Sequence, residues 1–247
     1  MSSAARSGAM IAASRPGRAR PIVDPLRCRL NALMPGVADA IGLGIRRMPM
    51  RTIRARREIL RDGECPGTTL AIQSGWAAFA RHFHDGRRQI EHLLVPGDIV
   101  GLGPGGPLTA SLLALTPVTL IELDTPAAPA ESMLQEAVRR HAALMLQHLF
   151  NAVARVGRQS SLERFAHLLL ELRDRLRLAG LGDGTRFEMP LTQEMLADAL
   201  GLTSVHVNRT LQAMRQQGLV TLREREVGLI DVPALSRLAD YQPLVVG

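Results

Sequence analysis

Apolar and polar positions along this chain repeat with different periods, and each period predicts a different element. Within residues 191–220, Leu196, Ala197 and Leu200 share one face of a short helix, and Val207, Leu211 and Met214 share one face of a second. Gly201 lies between them, where a tight turn calls for positive φ that glycine adopts without steric cost. Thr192, and then Thr203 or Ser204, stand where N-caps belong, each hydroxyl placed to accept from an orphan backbone N–H. The pattern is that of a helix-turn-helix. Its second helix turns Ser204, Val205, His206, Asn208, Arg209 and Gln212 outward, a mostly polar face with one guanidinium that suits the major groove of DNA. After Gly218, the β-prone runs 219–222 and 227–232 flank a charged turn and predict a wing hairpin.

Upstream the periods change. Residues 131–156 lack glycine and proline and carry Leu134, Val138, Met145, Leu149 and Val153 at intervals of four or seven, which predicts a long helix with an apolar seam. Residues 161–178 predict another helix with Leu162, Phe165, Ala166, Leu169 and Leu172 facing inward, and 180–184 supply a glycine hinge. Between 50 and 124 come short β-prone runs at 50–53, 68–73, 76–82, 89–94, 112–114 and 118–123, separated by glycine, proline and aspartate. Many short strands at such spacing indicate a barrel or jelly roll, with Trp76 as a core anchor. Residues 25–50 predict a helical segment through Leu26, Leu30, Leu33, Val37 and Ile41, broken at Pro35-Gly36, and residues 1–22 read as a disordered basic tail.

Three phrases carry a family resemblance: PLTQEMLADALGLTSVHVNRTLQAM, the GLV that follows it, and GWAAFARHFHDGRRQIEHLLVPGDIVGL. From about residue 30 to 238 the chain resembles the Crp/Fnr superfamily of bacterial transcription regulators. The resemblance implies an α+β fold. A cyclic-nucleotide-binding-like β-barrel sensor is expected over 23–129, a dimerisation helix over 130–157, a connecting helix and hinge over 158–185, and a winged helix-turn-helix over 186–240. It implies a DNA-binding regulator that grips a palindromic operator as a homodimer, with RNA polymerase as a further partner. The seam at Leu134, Val138, Met145, Leu149 and Val153 is the expected dimer interface. Arg209 falls on the family's guanine-reading position, where a guanidinium donates to O6 and N7 together. Many members place a glutamate where this chain has Val205, which implies contact with a thymine methyl instead of cytosine. Ser204 and Asn208 are expected to add adenine or phosphate contacts, Thr192 and Gln193 to lie by the DNA backbone, and Thr203 and His206 to complete the DNA-binding set.

The resemblance also raises the question of a bound nucleotide. Members that bind one place a ribose-holding glutamate where this chain has Leu102 and a phosphate-neutralising arginine where it has Leu108; the hydroxyl of neighbouring Thr109 does not replace a guanidinium. Cyclic AMP is not expected to bind, and the glycines of GLGPGGPLTA offer only a weak anion nest. An Fnr-like cluster on four cysteines is excluded, since the chain holds two, Cys28 and Cys65, expected to be reduced thiols. His82, His84 and His92, with Asp85, Glu91 and Asp98 nearby, are read as surface histidines on a hairpin turning at Asp85-Gly86 rather than as metal ligands. No cofactor or metal is predicted, and the effector is unknown.

Composition fits a protein of two domains, with 247 residues and 46% hydrophobic content. No stretch of roughly 18 uninterrupted apolar residues occurs, so no membrane span is expected, and without a signal peptide the expected location is cytoplasmic. The formal charge of +7 is unevenly spread: residues 1–60 hold twelve arginines against three acids, whereas 186–247 hold six against seven. DNA affinity in so neutral a domain must come from local arginines, helix N-termini and duplication in a dimer. That neutrality keeps open an alternative, a protein-interaction module whose helix-turn-helix no longer binds DNA. An enzyme is not expected, because GxSxG, Walker, HExxH and dinucleotide motifs are missing from the sequence.

Overall fold

A computed structural model describes residues 23–42, 49–101, 107–123 and 130–245. The expected tail at 1–22 lies outside the described residues. Two helices come first, α1 (Pro25–Leu33) and α2 (Val37–Ala40). Asp24 caps α1 by accepting from the Arg27 N–H, and Gly36, at φ +82°, makes the break between them. Leu26, Leu30, Val37 and Ala38 pack on Ala71, Ile99 and Ile121 of the sheets that follow.

Those sheets are built from β1 (Met50–Ile53), β2 (Glu58–Leu60), β3 (Thr69–Ser74), β4 (Ala77–His82), β5 (Arg88–Leu94), β6 (Ile99–Val100), β7 (Ser111–Ala114) and β8 (Val118–Leu123). They form two four-stranded antiparallel sheets, ordered β1-β8-β3-β6 and β2-β7-β4-β5, closed over Leu70, Ile72, Leu94, Val100, Leu112 and Leu120. The pattern reading missed β2 and β6, whose three and two residues are too few to show a period. Gly75 turns β3 into β4 at φ +81°, and a Cβ there would lie 2.0 Å from the Pro117 carbonyl oxygen, so the turn excludes every other residue.

Next come α3 (Ala130–Arg158) and α4 (Ser161–Leu178). Ser160 and Glu163 form a reciprocal capping box that starts α4. Helix α4 is buried on nearly every side, between the outer face of the β2-β7-β4-β5 sheet and the C-terminal domain. Trp76 belongs to this shared cluster with Phe165 and Leu168, so it anchors the barrel's outer wall to α4 and does not fill the barrel.

The C-terminal domain comprises β9 (Arg186–Glu188), α5 (Gln193–Leu200), α6 (Ser204–Gln216), β10 (Val220–Arg223), β11 (Glu226–Leu229) and α7 (Val232–Ala239). Its sheet runs β10-β11-β9, and the predicted second wing strand ends three residues early. Asp231 caps α7 with Pro233 in its first turn, a helix-start signal that the β-prone run hid. No helix of the described residues is long and apolar enough to cross a membrane.

Candidate nucleic-acid interface

Local chemistry fixes the two helices of the reading unit. Thr192 Oγ1 accepts from the Met195 N–H at 3.2 Å and starts α5; Thr203 Oγ1 accepts from the His206 N–H at 3.3 Å and starts α6. Gly201 adopts the left-handed conformation at φ +61°, and its N–H and that of Leu202 both close on Ala197 O. From α4, Arg164 donates to Leu200 O at 3.0 Å and to Gln159 O at 2.8 Å, which ties the end of α5 to the end of α3. Val207, Leu211 and Met214 bury the inner face of α6, as their spacing predicts. Buried Thr210 satisfies its hydroxyl by donating to His206 O at 2.8 Å.

The outer face is open. Ser204, Val205, His206 and Arg209 are all exposed, with Val205 at 61%. Arg209 makes no ion pair or hydrogen bond among the described residues, so its guanidinium is available. Asn208 is half-buried and donates to Gln193 Oε1 at 3.4 Å, a contact that joins the start of α5 to the middle of α6. Thr203 Oγ1 also lies 3.2 Å from His206 Nδ1 and orients that ring. Thr192, Gln193, Thr203, Ser204, Val205, His206, Asn208 and Arg209 therefore stand on the N-terminal ends and facing surfaces of α5 and α6. The wing turn at Glu224-Arg225 is exposed beside them in sequence order, with Glu224 at φ +54°.

Along α3 the expected seam is split between two surroundings. Leu134 is buried and Val138 half-buried against the chain's own barrel, Met145 and Leu149 are half-buried, and Val153 is 72% exposed. The apolar residues left open are Leu146, Phe150 and Val153, which follow one another at spacings of four and three. Regular intervals alone could not separate the two stripes, since both run along one helix.

Under α3 lies a charge cluster that the pattern reading did not find. Asp98, in the turn before β6, meets Arg29 of α1 at 3.1 Å and Arg175 of α4 at 2.6 Å. Arg175 also donates to Leu93 O at 2.6 Å and to His92 Nε2 at 3.1 Å. Glu171 accepts from Arg155 at 2.9 Å and lies 3.3 Å from Arg175, and Arg155 donates to His167 Nδ1 at 3.0 Å. His92 is only 6% exposed, which corrects its reading as a surface histidine; His82 and His84 are exposed on the β4–β5 hairpin as expected. Burial, with a smaller contribution from neighbouring guanidiniums, holds His92 well below its ordinary value and lowers His141, His148 and His167 to about 4. Burial pushes the Asp98 and Glu171 carboxyls up, yet Arg175 and Arg29 outweigh it at the first, and Arg155 with the cluster's other cations at the second, so both stay ionised. The signal for this cluster was present only as Glu171 and Arg175 four residues apart, on a helix where Glu163, Arg164, Arg173, Asp174 and Arg177 are charged as well.

Of the positions compared with nucleotide-binding members, Leu108 and Thr109 lie among the described residues. Leu108 is half-buried and spends its backbone N–H and carbonyl on Glu64 and Gly63, Thr109 is exposed, and the described interior is aliphatic. Neither Leu108 nor Thr109 offers a charge to a phosphate. Leu102, and most of the glycine-rich stretch with it, lies outside the described residues. Cys28 is half-buried and Cys65 exposed, both as free thiols.

A barrel joined through long helices to a capped, open-faced helix-turn-helix defines a two-domain regulator that presents a reading helix to DNA. Comparison with known proteins agrees. Residues 163–238 match the Crp-like helix-turn-helix domain and residues 50–130 the cyclic nucleotide-binding domain. The chain is 30% identical over 186 residues to the nitrogen fixation regulation protein FixK of Azorhizobium caulinodans, covering 73% of this chain and 75% of that protein. It is 30% identical over 195 residues to the transcriptional activator protein FnrL of Cereibacter sphaeroides, covering 75% and 78%. The solved structure of FixK2 from Bradyrhizobium japonicum shares the fold, with a TM-score of 0.67 at 24% identity, over 79% of this chain and 99% of that one. The chain belongs to the Crp/Fnr family of transcription regulators.

Proposed function

We propose that this regulator binds a palindromic operator as a homodimer and answers to an effector other than a cyclic nucleotide. The observation that carries the reading is the open outer face of α6, where Arg209 has no partner among the described residues and Val205 is left in water. An exposed valine beside a free guanidinium costs hydrophobic free energy that contact with a thymine methyl recovers, while the guanidinium donates to guanine O6 and N7. Ser204, His206 and Asn208 complete the base-facing set, and Thr192, Gln193 and Thr203 lie where phosphates approach the helix N-termini.

Two copies pair along Leu146, Phe150 and Val153 of α3, flanked by Met145 and Leu149. Leu134 and Val138 serve instead to seat α3 on the barrel. Pairing places two α6 helices about 34 Å apart, one turn of B-DNA, and doubles the contacts of a domain with little net charge. The test is a selection from random duplexes with purified protein, combined with sedimentation. The expected result is a dimer that enriches an inverted repeat carrying guanine and thymine in each half; a monomer that enriches nothing contradicts the proposal.

A further inference from the structure

Among the described residues the barrel touches the DNA-binding domain directly through β5. Three residues of β5 reach different parts of the helical layer, Arg88 and Ile90 before the bulge at Glu91 and His92 after it. Arg88 donates from both Nε and Nη2 to Asp198 Oδ2 on α5, at 2.8 and 2.6 Å. Ile90 is buried in the cluster that continues through α4 into the C-terminal domain. His92 accepts from Arg175 of α4. Among the described residues, Arg88 with Asp198 is the one ion pair between barrel and winged helix, and its members are only 26% and 19% exposed. Two residues further on, Leu200 O is held by Arg164 of α4. Helix α5 is thus gripped by the sensor at one point and by α4 at another. The grip does not cover the reading face, since Ser204, Val205, His206 and Arg209 of α6 stay exposed.

We propose that Arg88 and Asp198 are positioning residues for operator binding: the pair sets the angle of α5, and with it α6, against the barrel. The inference rests on the homodimer reading given above. A dimer engages its second half-site at an effective concentration that depends on how narrowly the second reading helix is aimed. Loosening α5 lowers that effective concentration without altering any contact that one α6 makes with bases. A residue that merely supports folding weakens half-site and palindrome alike, whereas a positioning residue changes their ratio.

The test compares wild type, Arg88→Asp, Asp198→Arg, the charge-exchanged double variant and the milder Arg88→Gln on two duplexes, the selected palindrome and one isolated half-site. The ratio of the two affinities cancels any general effect of charge on DNA attraction. Each single variant is expected to lower that ratio about tenfold, a small fraction of the coupling two half-sites provide, and the exchanged pair to restore it. Arg88→Gln should fall in the same direction as Arg88→Asp. An unchanged ratio in both Arg88 variants, or equal losses on both duplexes, overturns the proposal. A rise in palindrome affinity also overturns it, because the pair would then restrain binding. Wild-type protein that shows no preference for either duplex overturns the homodimer reading itself, and this proposal with it.

Discussion

Two groups of arginines in this molecule face opposite demands. On α6, Arg209 is exposed and has no partner among the described residues, so its guanidinium is stabilised by water until another acceptor displaces it. Beneath α3, Arg29 and Arg175 are 2% exposed and Arg155 is 5% exposed, and they depend on Asp98 and Glu171. The first arrangement leaves binding free energy unspent; the second has spent it within the chain to join α1, the barrel, α3 and α4. The contrast separates a surface that waits for a partner from a junction that holds the helices against the barrel. Charge alone does not distinguish them, because the sequence carries no lysine and uses arginine for both.

The largest effect should come from breaking the junction. Asp98→Ala removes the carboxylate shared by Arg29 and Arg175, leaving Arg29 buried without its counter-charge and Arg175 with Glu171 alone, which should cost about 3–5 kcal/mol in chemical unfolding. A loss below about 1 kcal/mol, the range of surface pairs, would place the cluster in water and erase the comparison.

Acid should act on the same junction. Folding keeps His141, His148 and His167 neutral down to about pH 4, whereas the unfolded chain takes up protons near pH 6.5. The unfolded state therefore binds more protons between these values, and stability, complete above about pH 6.5, is lost as pH falls toward 4. A loss of about 2 kcal/mol for each of these histidines, and about 5 kcal/mol for the three together, is expected between pH 7 and 5 from denaturant midpoints. A flat profile across that window would mean that the imidazoles are solvated.

The two regions also differ in how much the sequence reveals. In the helix-turn-helix the instructions are local: Thr192, Gly201 and Thr203 cap and turn, Val207, Leu211 and Met214 face inward, and all lie within one short segment. In the junction, Asp98 and Arg175 are 77 residues apart, so no window contains both. His92 looked like its exposed neighbours His82 and His84 because the hairpin's alternation does not say that α4 covers one of its faces. The long helix was legible as an element, yet that Leu134 is buried on the barrel and Phe150 exposed could not be told until the barrel's position was known. Strand β9 was missed for a similar reason, since it is fixed by pairing with β11 more than by its own period.

A smaller effect sharpens the other side of the comparison. Thr203→Ala removes the acceptor for the His206 N–H at the start of α6 and should cost about 1 kcal/mol of stability. The same change frees the His206 ring, so operator affinity should fall while the dimer persists in sedimentation. Unaltered stability would show that the first turn of α6 does not need its cap.

The most direct measurement is a cycle that changes one residue and one base pair. Wild type and Arg209→Ala are titrated against the selected operator and against a copy in which the guanine of each half-site is exchanged. Wild type should lose about 1–3 kcal/mol per half-site on the exchanged duplex, and Arg209→Ala should bind both duplexes at the same weakened level. If the alanine variant still prefers the original operator as strongly as wild type does, Arg209 does not read the guanine and the account of α6 is contradicted.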